Sequence, residues 1–127
     1  MSKTLYIVIP CYNEQEVLPE TSKRLLEKLQ SLVLKNKIAD NSRIMFVNDG
    51  SKDQTWSMIK ELCEENSVFA GVNLSRNRGH QNALLAGMAT AVKYADMIVT
   101  MDADLQDDIN AVDRMIDAYY EGNDVVY

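Results

Sequence analysis

The chain has 127 residues, of which 46% are hydrophobic and 25% charged, and 19 acidic against 13 basic side chains give a formal net charge of −6. This length suits a single domain, and the apolar fraction excludes a disordered or collagen-like chain. The acidic balance argues against a protein that binds nucleic acid through a basic face.

Four short apolar segments alternate along the chain with four longer amphipathic ones. The short segments are rich in Val and Ile and are predicted strands, over residues 5–9, 44–47, 68–74 and 97–101. Between and after them, apolar stripes at helical spacing begin at Leu18, Trp56, Ala83 and Val112. Strands that are almost continuously apolar are typical of a parallel sheet buried on both faces. We therefore predict an α/β fold, a doubly wound, mainly parallel sheet with helices on both faces.

The last residues, 124–127, read Asp-Val-Val-Tyr and begin a fifth predicted strand. Three apolar residues are fewer than the ~5–6 residues of an ordinary strand. We therefore expect the strand and its domain to continue past Tyr127. An interrupted strand would expose an apolar sheet edge, so self-association is expected as well.

Cys11 and Cys63 form no C-x-x-C pair, and the single His gives no zinc spacing, so two thiols in a reducing compartment are predicted. The N-terminal apolar segment is too short for a signal peptide, and no run approaches the ~18 apolar residues of a membrane span. From the residues alone we expect a soluble, cytoplasmic chain.

Each predicted strand runs into polar or turn-forming residues, at 10–14, 48–53, 75–80 and 102–107. The carboxyl ends of parallel strands share one edge of the sheet, and open parallel sheets bind ligands beyond that edge. The sequence therefore predicts a binding site at this edge.

Asp102 and Asp104 form a D-x-D motif, of which eleven Asp residues predict about one by chance. The position of the motif, directly after a buried strand, is what makes it informative. Two such carboxylates can converge on Mg²⁺ or a similar cation, with waters and phosphates as further ligands, and the cation would stabilise a diphosphate leaving group. Alternatively the acids favour the dipole of the next helix, a role that Asp107 and Asp108 suit better.

Other polar residues leave alternatives open. Asp49 precedes a Gly turn, where it could accept hydrogen bonds from a base or ribose or simply form an Asx turn. Asp53 is a predicted N-cap for the second helix. Arg76 could receive a phosphate near a helix N-terminus. An isolated His such as His80 is more often structural than catalytic.

Three segments in this order resemble the family-2 inverting nucleotide-sugar glycosyltransferases of GT-A fold. They are VIPCYNE at 8–14, VNDGSKD at 47–53 and MDADLQD at 101–107. The segment LSRNRGHQ at 74–81 is similar to the branch that loads sugars onto polyprenyl phosphates, which includes dolichol-phosphate mannose synthases and bactoprenol glycosyltransferases.

The resemblance implies that residues 1–127 are the nucleotide-sugar-binding part of a GT-A domain, in an enzyme that moves a sugar from a nucleotide-diphosphate sugar to a polyprenyl phosphate. The nucleotide-binding residues that it implies are Pro10, Tyr12, Glu14, Asp49, Ser51 and Asp102. It also implies Mg²⁺ or Mn²⁺ held by Asp104, Asp102 and Gln106. Arg76 and His80 would lie toward the sugar diphosphate or the acceptor.

The resemblance further implies that the catalytic base, the acceptor half and membrane helices follow Tyr127. The part given would then bind the donor without transferring the sugar. The full-length protein would be membrane-associated, with this domain on the cytoplasmic side.

Two other classes of protein remain as alternatives. A phosphoacceptor, receiver-like signalling module is also a small α/β protein that binds Mg²⁺, but the first strand here ends in Pro-Cys-Tyr-Asn and not in an acidic pair. A nucleotidyltransferase has a similar donor site but usually needs a basic Gly-rich loop after the first strand. A dinucleotide dehydrogenase is disfavoured because no G-x-G-x-x-G follows that strand.

Overall fold

The structure is a computed structural model that describes residues 3–104 and 109–120. Four parallel strands form one sheet in the order β3-β2-β1-β4. The strands are β1 (Leu5–Cys11), β2 (Arg43–Asp49), β3 (Phe69–Leu74) and β4 (Met97–Thr100). The helices that alternate with them are α1 (Leu18–Leu34), α2 (Thr55–Glu65), α3 (His80–Ala91) and α4 (Ala111–Tyr120).

The strand order reverses at β1. The chain steps from β1 to β2 and then to β3 in one direction, and α3 then carries it back so that β4 pairs with the other side of β1. In this register Val8 lies opposite Thr100, and Cys11 lies opposite Asn48. Open parallel sheets bind ligands at such a reversal, beyond the carboxyl ends of the strands. The topology therefore predicts a ligand site at the carboxyl ends of β1 and β4.

Helices cover both faces of the sheet, as predicted. On one face α1, α2 and α4 pack over a large core that includes Ile7 and Phe46. On the other face α3 packs over Val8 and Val47. The helix lies close to the sheet because its contact residues are small: a Cβ on Gly87 would come within 2.6 Å of Val8 Cγ1 and 2.7 Å of Val47 Cγ2.

The strands differ in how completely they are buried. Nearly every residue of β1 and β2 is buried, which agrees with their continuous apolar sequence. Burial on both faces was also expected of β3, and there the expectation is wrong, because Gly71 and Asn73 are exposed. The physical reason is position, since β3 is an edge strand and its hydrogen bonds to the sheet are made to β2.

Helix α4 lies beside α1 and forms ion pairs with Lys28 of α1 and with Lys37, which follows α1. Lys28 Nζ is 2.8 Å from Asp113 Oδ2, and Lys37 Nζ is 3.4 Å from Asp117 Oδ1. Although burial alone would raise the pKa of Asp113, the hydrogen bond and charge of Lys28, with the charge of Lys37, hold that pKa below its usual value. The pair therefore stabilises the folded chain while Asp113 is ionised.

Both cysteines are free thiols, Cys11 buried and Cys63 half-buried. Within the part of the chain that the structure describes, no helix has the length and apolar character needed to cross a bilayer. The fifth strand predicted to begin at Asp124, and the sheet edge on which self-association was expected to depend, lie outside the described residues.

Candidate functional site

A pocket of about 320 Å³ opens beyond the carboxyl ends of the strands, where the ends of β1 and β2, the β3–α3 loop and the segment after β4 meet. This volume is at the lower end of the range of small-molecule sites. Seven of the residues singled out in the sequence line it: Pro10, Tyr12, Glu14, Asp49, His80, Asp102 and Asp104. The structure therefore brings together residues that are separated by as much as 94 positions in the chain.

Of the remaining three predicted site residues, two are described by the structure and lie outside the wall of the pocket. Among the described residues, the wall of the pocket does not include Ser51 or Arg76. The side chain of Arg76 is exposed in the β3–α3 loop. Gln106, predicted as a metal ligand, lies outside the described residues.

Ser51 joins the loop after β2 to the loop after β1. Its hydroxyl accepts a hydrogen bond of 2.9 Å from the backbone N–H of Asn13. In return Asn13 Oδ1 accepts one of 2.9 Å from the N–H of Lys52. Asn13 adopts a positive φ of 53°, a conformation that Asn tolerates better than most residues. These bonds make the two loops a single unit.

The same unit continues at Thr55 and Asp53. The Thr55 hydroxyl accepts a hydrogen bond of 2.9 Å from the N–H of Glu14 and donates one to Asp53 Oδ1. Asp53 also accepts from the N–H of Thr55 at 2.9 Å, so it caps the start of α2 from one residue before the N-cap position, which Gln54 occupies. Tyr12 and Glu14 are thereby held at the mouth of the pocket.

Asp49 and Gly50, at the end of β2, contact the backbone of the β3–α3 loop. Asp49 is 3% exposed, and its Oδ1 accepts a hydrogen bond of 2.7 Å from the N–H of Arg78. Gly50 has a φ of 68°, and a Cβ there would lie 2.2 Å from the backbone N of Asn77. The local turn bond is made by Asn48, whose Oδ1 accepts from the N–H of Ser51 at 3.2 Å. The Asp49 carboxylate therefore binds the β3–α3 loop, and the Asx-type hydrogen bond that was one alternative for Asp49 is made by Asn48.

Asn77 and Gly79 also line the pocket, and neither was selected from the sequence. Asn77 Oδ1 accepts a hydrogen bond of 3.0 Å from the N–H of Gly79, whose φ is 92°. The available signal was the Asn-x-Gly spacing in the polar cluster after β3, which is typical of a tight turn.

Cys11 lies in the wall as well but is 1% exposed. Burial, and after it the charge of Glu14, raises the pKa of its thiol. Cys11 is therefore protonated and unreactive near neutral pH.

Carboxylates concentrate on one side of the pocket. Burial raises the pKa of Glu14, and the charges of Asp104, Asp53 and Asp102 raise it further. His80 faces the same group, with its Nε2 3.8 Å from Asp102 Oδ1. Negative side chains close enough to raise the pKa of Glu14 produce a local negative potential that a bound cation would reduce.

The oxygen donors at this side fit a divalent cation that takes only part of its coordination from protein. Mg²⁺ is usually held by one or two carboxylates, with waters and substrate phosphates as its other ligands. Asp102 and Asp104 supply two such carboxylates in the pocket wall. No cluster of three or more His, Cys, Asp or Glu that could hold a metal ion occurs among residues 3–104 and 109–120. The described residues by themselves therefore do not form a complete protein cage around a cation.

Comparisons with known proteins agree on one family. The sequence model described as "Glycosyl transferase family 2" matches residues 6–127. A Bacillus subtilis (strain 168) protein named as an uncharacterized glycosyltransferase, YkoT, is 46% identical over 97% of this chain and 36% of its own length. The undecaprenyl-phosphate 4-deoxy-4-formamido-L-arabinose transferase of Enterobacter sp. (strain 638) is 40% identical over 94% of this chain and 35% of its own. The chain thus spans about a third of the length of the curated relatives it matches.

Solved structures show the same fold. The Pyrobaculum calidifontis mannosyltransferase PcManGT, in complex with GDP-Man and Mn²⁺, aligns with a TM-score of 0.60 and 20% identity over 82% of this chain and 28% of its own. S. aureus TarS 1-349 in complex with UDP aligns with a TM-score of 0.61 and 17% identity over 98% and 38%. The predicted GT-A-like α/β architecture is confirmed by this likeness.

Proposed function

The chain belongs to glycosyl transferase family 2, and from this premise we propose that it is the donor-binding part of an enzyme that transfers a sugar, with inversion, from a nucleotide-diphosphate sugar to a polyprenyl phosphate. The observation that carries the proposal is the pocket at the β1–β4 reversal, where seven residues predicted from four separate segments meet. With the family shown, the phosphoacceptor and nucleotidyltransferase alternatives are set aside.

The names of related proteins support the finer parts of the proposal. Two structural neighbours carry GDP-Man or UDP in their titles, which supports a nucleotide-sugar donor. One relative is named for an undecaprenyl-phosphate acceptor, which supports a polyprenyl phosphate and a membrane-associated full-length protein. We propose that the acceptor-binding residues and the catalytic base are supplied by sequence outside residues 1–127.

The residues of the β1 and β2 ends are proposed to bind the nucleotide. Pro10 and the partly exposed ring of Tyr12 form an apolar wall for the base or ribose, and Glu14 supplies a carboxylate acceptor. Asp49 is fixed by its bond to Arg78, so a hydrogen bond from the base to this carboxylate needs little reorganisation. Ser51, which the motif implies as a nucleotide-binding residue, is proposed instead to hold the loop after β1 in place, since its hydroxyl already accepts a hydrogen bond from the N–H of Asn13.

Asp102 and Asp104 are proposed to hold Mg²⁺ or Mn²⁺ beside the diphosphate, with Gln106 as a third candidate ligand. When bound, the cation would neutralise the diphosphate and stabilise it as a leaving group. His80 lies across from Asp102, on the side of the pocket that we assign to the sugar diphosphate or the acceptor. Arg76, exposed in the adjoining loop, would act from the rim.

Calorimetric titration of UDP and GDP, each with and without Mn²⁺, tests this proposal. In the wild type we expect binding that depends on Mn²⁺, and in Asp104→Asn a loss of at least about tenfold in affinity. Asp40→Asn is a matched control, since it removes an exposed carboxylate that follows α1 and does not line the pocket. Equal binding with and without Mn²⁺ in all three proteins would contradict the metal role.

A further inference from the structure

A buried threonine of α1 reaches the segment that carries the two proposed metal ligands. Thr21 lies in the first turns of α1 and is 3% exposed. Its hydroxyl donates a hydrogen bond to the backbone carbonyl of Ala103, 82 residues along the chain. Ala103 is itself 3% exposed and stands between Asp102 and Asp104.

This bond holds the segment where the sheet no longer does. Strand β4 ends at Thr100, and the last bond of the segment to the sheet is donated by the N–H of Met101 to the carbonyl of Val8, at 3.1 Å. The Asp102 side chain is 50% exposed, and Asp104 is also exposed, whereas Ala103 between them is buried.

We propose that Thr21 is a positioning residue, whose hydroxyl fixes the backbone between Asp102 and Asp104 so that both carboxylates face the pocket. The inference rests on the proposed function, because it concerns the residues assigned there to the cation. Removing a group that holds a metal ligand in place commonly lowers metal affinity by about 10–100-fold. Thr21 touches neither the cation nor the diphosphate in this account, and it acts through the Ala103 carbonyl alone.

Three variants separate positioning from general stability. Thr21→Val keeps the branched shape and removes the hydroxyl, whereas Thr21→Ser keeps the hydroxyl and removes a methyl group. Ser22→Ala is the matched control, because Ser22 is also a buried hydroxyl residue of α1, 5% exposed, but its hydroxyl donates to Pro19 O within the same helix, at 3.0 Å. Two readouts apply to each protein: amide hydrogen exchange of residues 101–104, and Mn²⁺ binding by electron paramagnetic resonance with excess UDP or GDP.

For Thr21→Val we expect faster exchange at residues 101–104 and Mn²⁺ binding weakened by about tenfold. Thr21→Ser should restore both, and Ser22→Ala should change neither. Unchanged exchange in Thr21→Val, or the same change in Ser22→Ala, would overturn the positioning role, whatever the cation does. If the wild type binds no Mn²⁺ with either nucleotide, the proposed function fails, and the link from Thr21 to a cation fails with it.

Discussion

The turn at Gly50 brings the loop after β2 into close contact with the backbone of the β3–α3 loop. A Cβ at this position would lie 2.2 Å from Asn77 N and 2.4 Å from Arg76 C, both of them backbone atoms that no side-chain rotation can move away. Its φ of 68° adds strain for any residue with a side chain. The close approach is what lets Asp49 reach the N–H of Arg78.

Gly50→Ala is therefore expected to destabilise the fold by about 2–4 kcal/mol, which combines backbone strain and overpacking. The control is Gly79→Ala, where φ is 92° but no atom lies within 4 Å of the added Cβ. Urea unfolding should show Gly50→Ala as the more damaging change by at least about 1 kcal/mol. Equal losses in the two variants would mean that the loops move apart without cost.

The proximity of the site residues could be predicted, but their individual contacts could not. Carboxyl ends of parallel strands meet at one edge, so Tyr12, Asp49 and Asp102 were expected to lie together. Ser51 occupies the same motif as Asp49, yet it binds the Asn13 amide and lies outside the pocket wall among the described residues. A hydroxyl can accept a hydrogen bond from a ligand or from the backbone of another loop. Which of the two Ser51 binds depends on the distance between the loops, and the sequence does not give that distance.

At the scale of elements, the pairing of α1 with α4 holds the segment after β4 against the rest of the domain. Lys28 contacts both Asp113, at 2.8 Å, and Asn110, at 3.0 Å. Because the folded-state pKa of Asp113 is lowered, its contribution is complete above its unfolded pKa of ~3.9 and disappears as the pH falls through the lower folded value.

Asp113→Asn should therefore cost about 0.5–1 kcal/mol at neutral pH, a modest figure because both side chains are partly solvated. The difference from wild type should shrink as the pH falls below ~4. Chemical unfolding at several pH values measures both effects, with Asp117→Asn as a control whose carboxylate is 57% exposed. A difference that stays constant down to acid pH would show that charge is not its source.

Periodicity predicted the type and order of the elements, because amphipathic stripes report burial directly. It could not predict which face of the sheet each helix covers. Val112 and Ile116 form a stripe that would suit either face, and in the structure they join the core that α1 covers, beside the contact of Lys28 with Asp113. The expectation that β3 is buried on both faces was wrong for a related reason. The position of a strand at the edge of a sheet cannot be predicted from the apolar residues of that strand alone.

At the scale of the whole molecule, the charge distribution favours a cation in the pocket. Residues 102–127 contain eight acidic side chains and one basic one, whereas residues 1–101 are nearly balanced, with eleven acidic and twelve basic. Asp102 and Asp104 open the acidic segment and face Glu14 across the pocket. A diphosphate would be repelled by this wall unless a divalent cation lay between them.

We propose above all that the cation and the nucleotide bind together at the carboxyl ends of β1 and β4. Nuclear magnetic resonance with Mn²⁺ and excess UDP or GDP tests its location directly, since the paramagnetic ion broadens nearby amide signals. We predict broadening centred on Asp102–Asp104 and extending to Tyr12 and Glu14, with Ile38 at the opposite end of the sheet unaffected. Broadening centred on the acidic side chains of α4, or no broadening with either nucleotide, would contradict it.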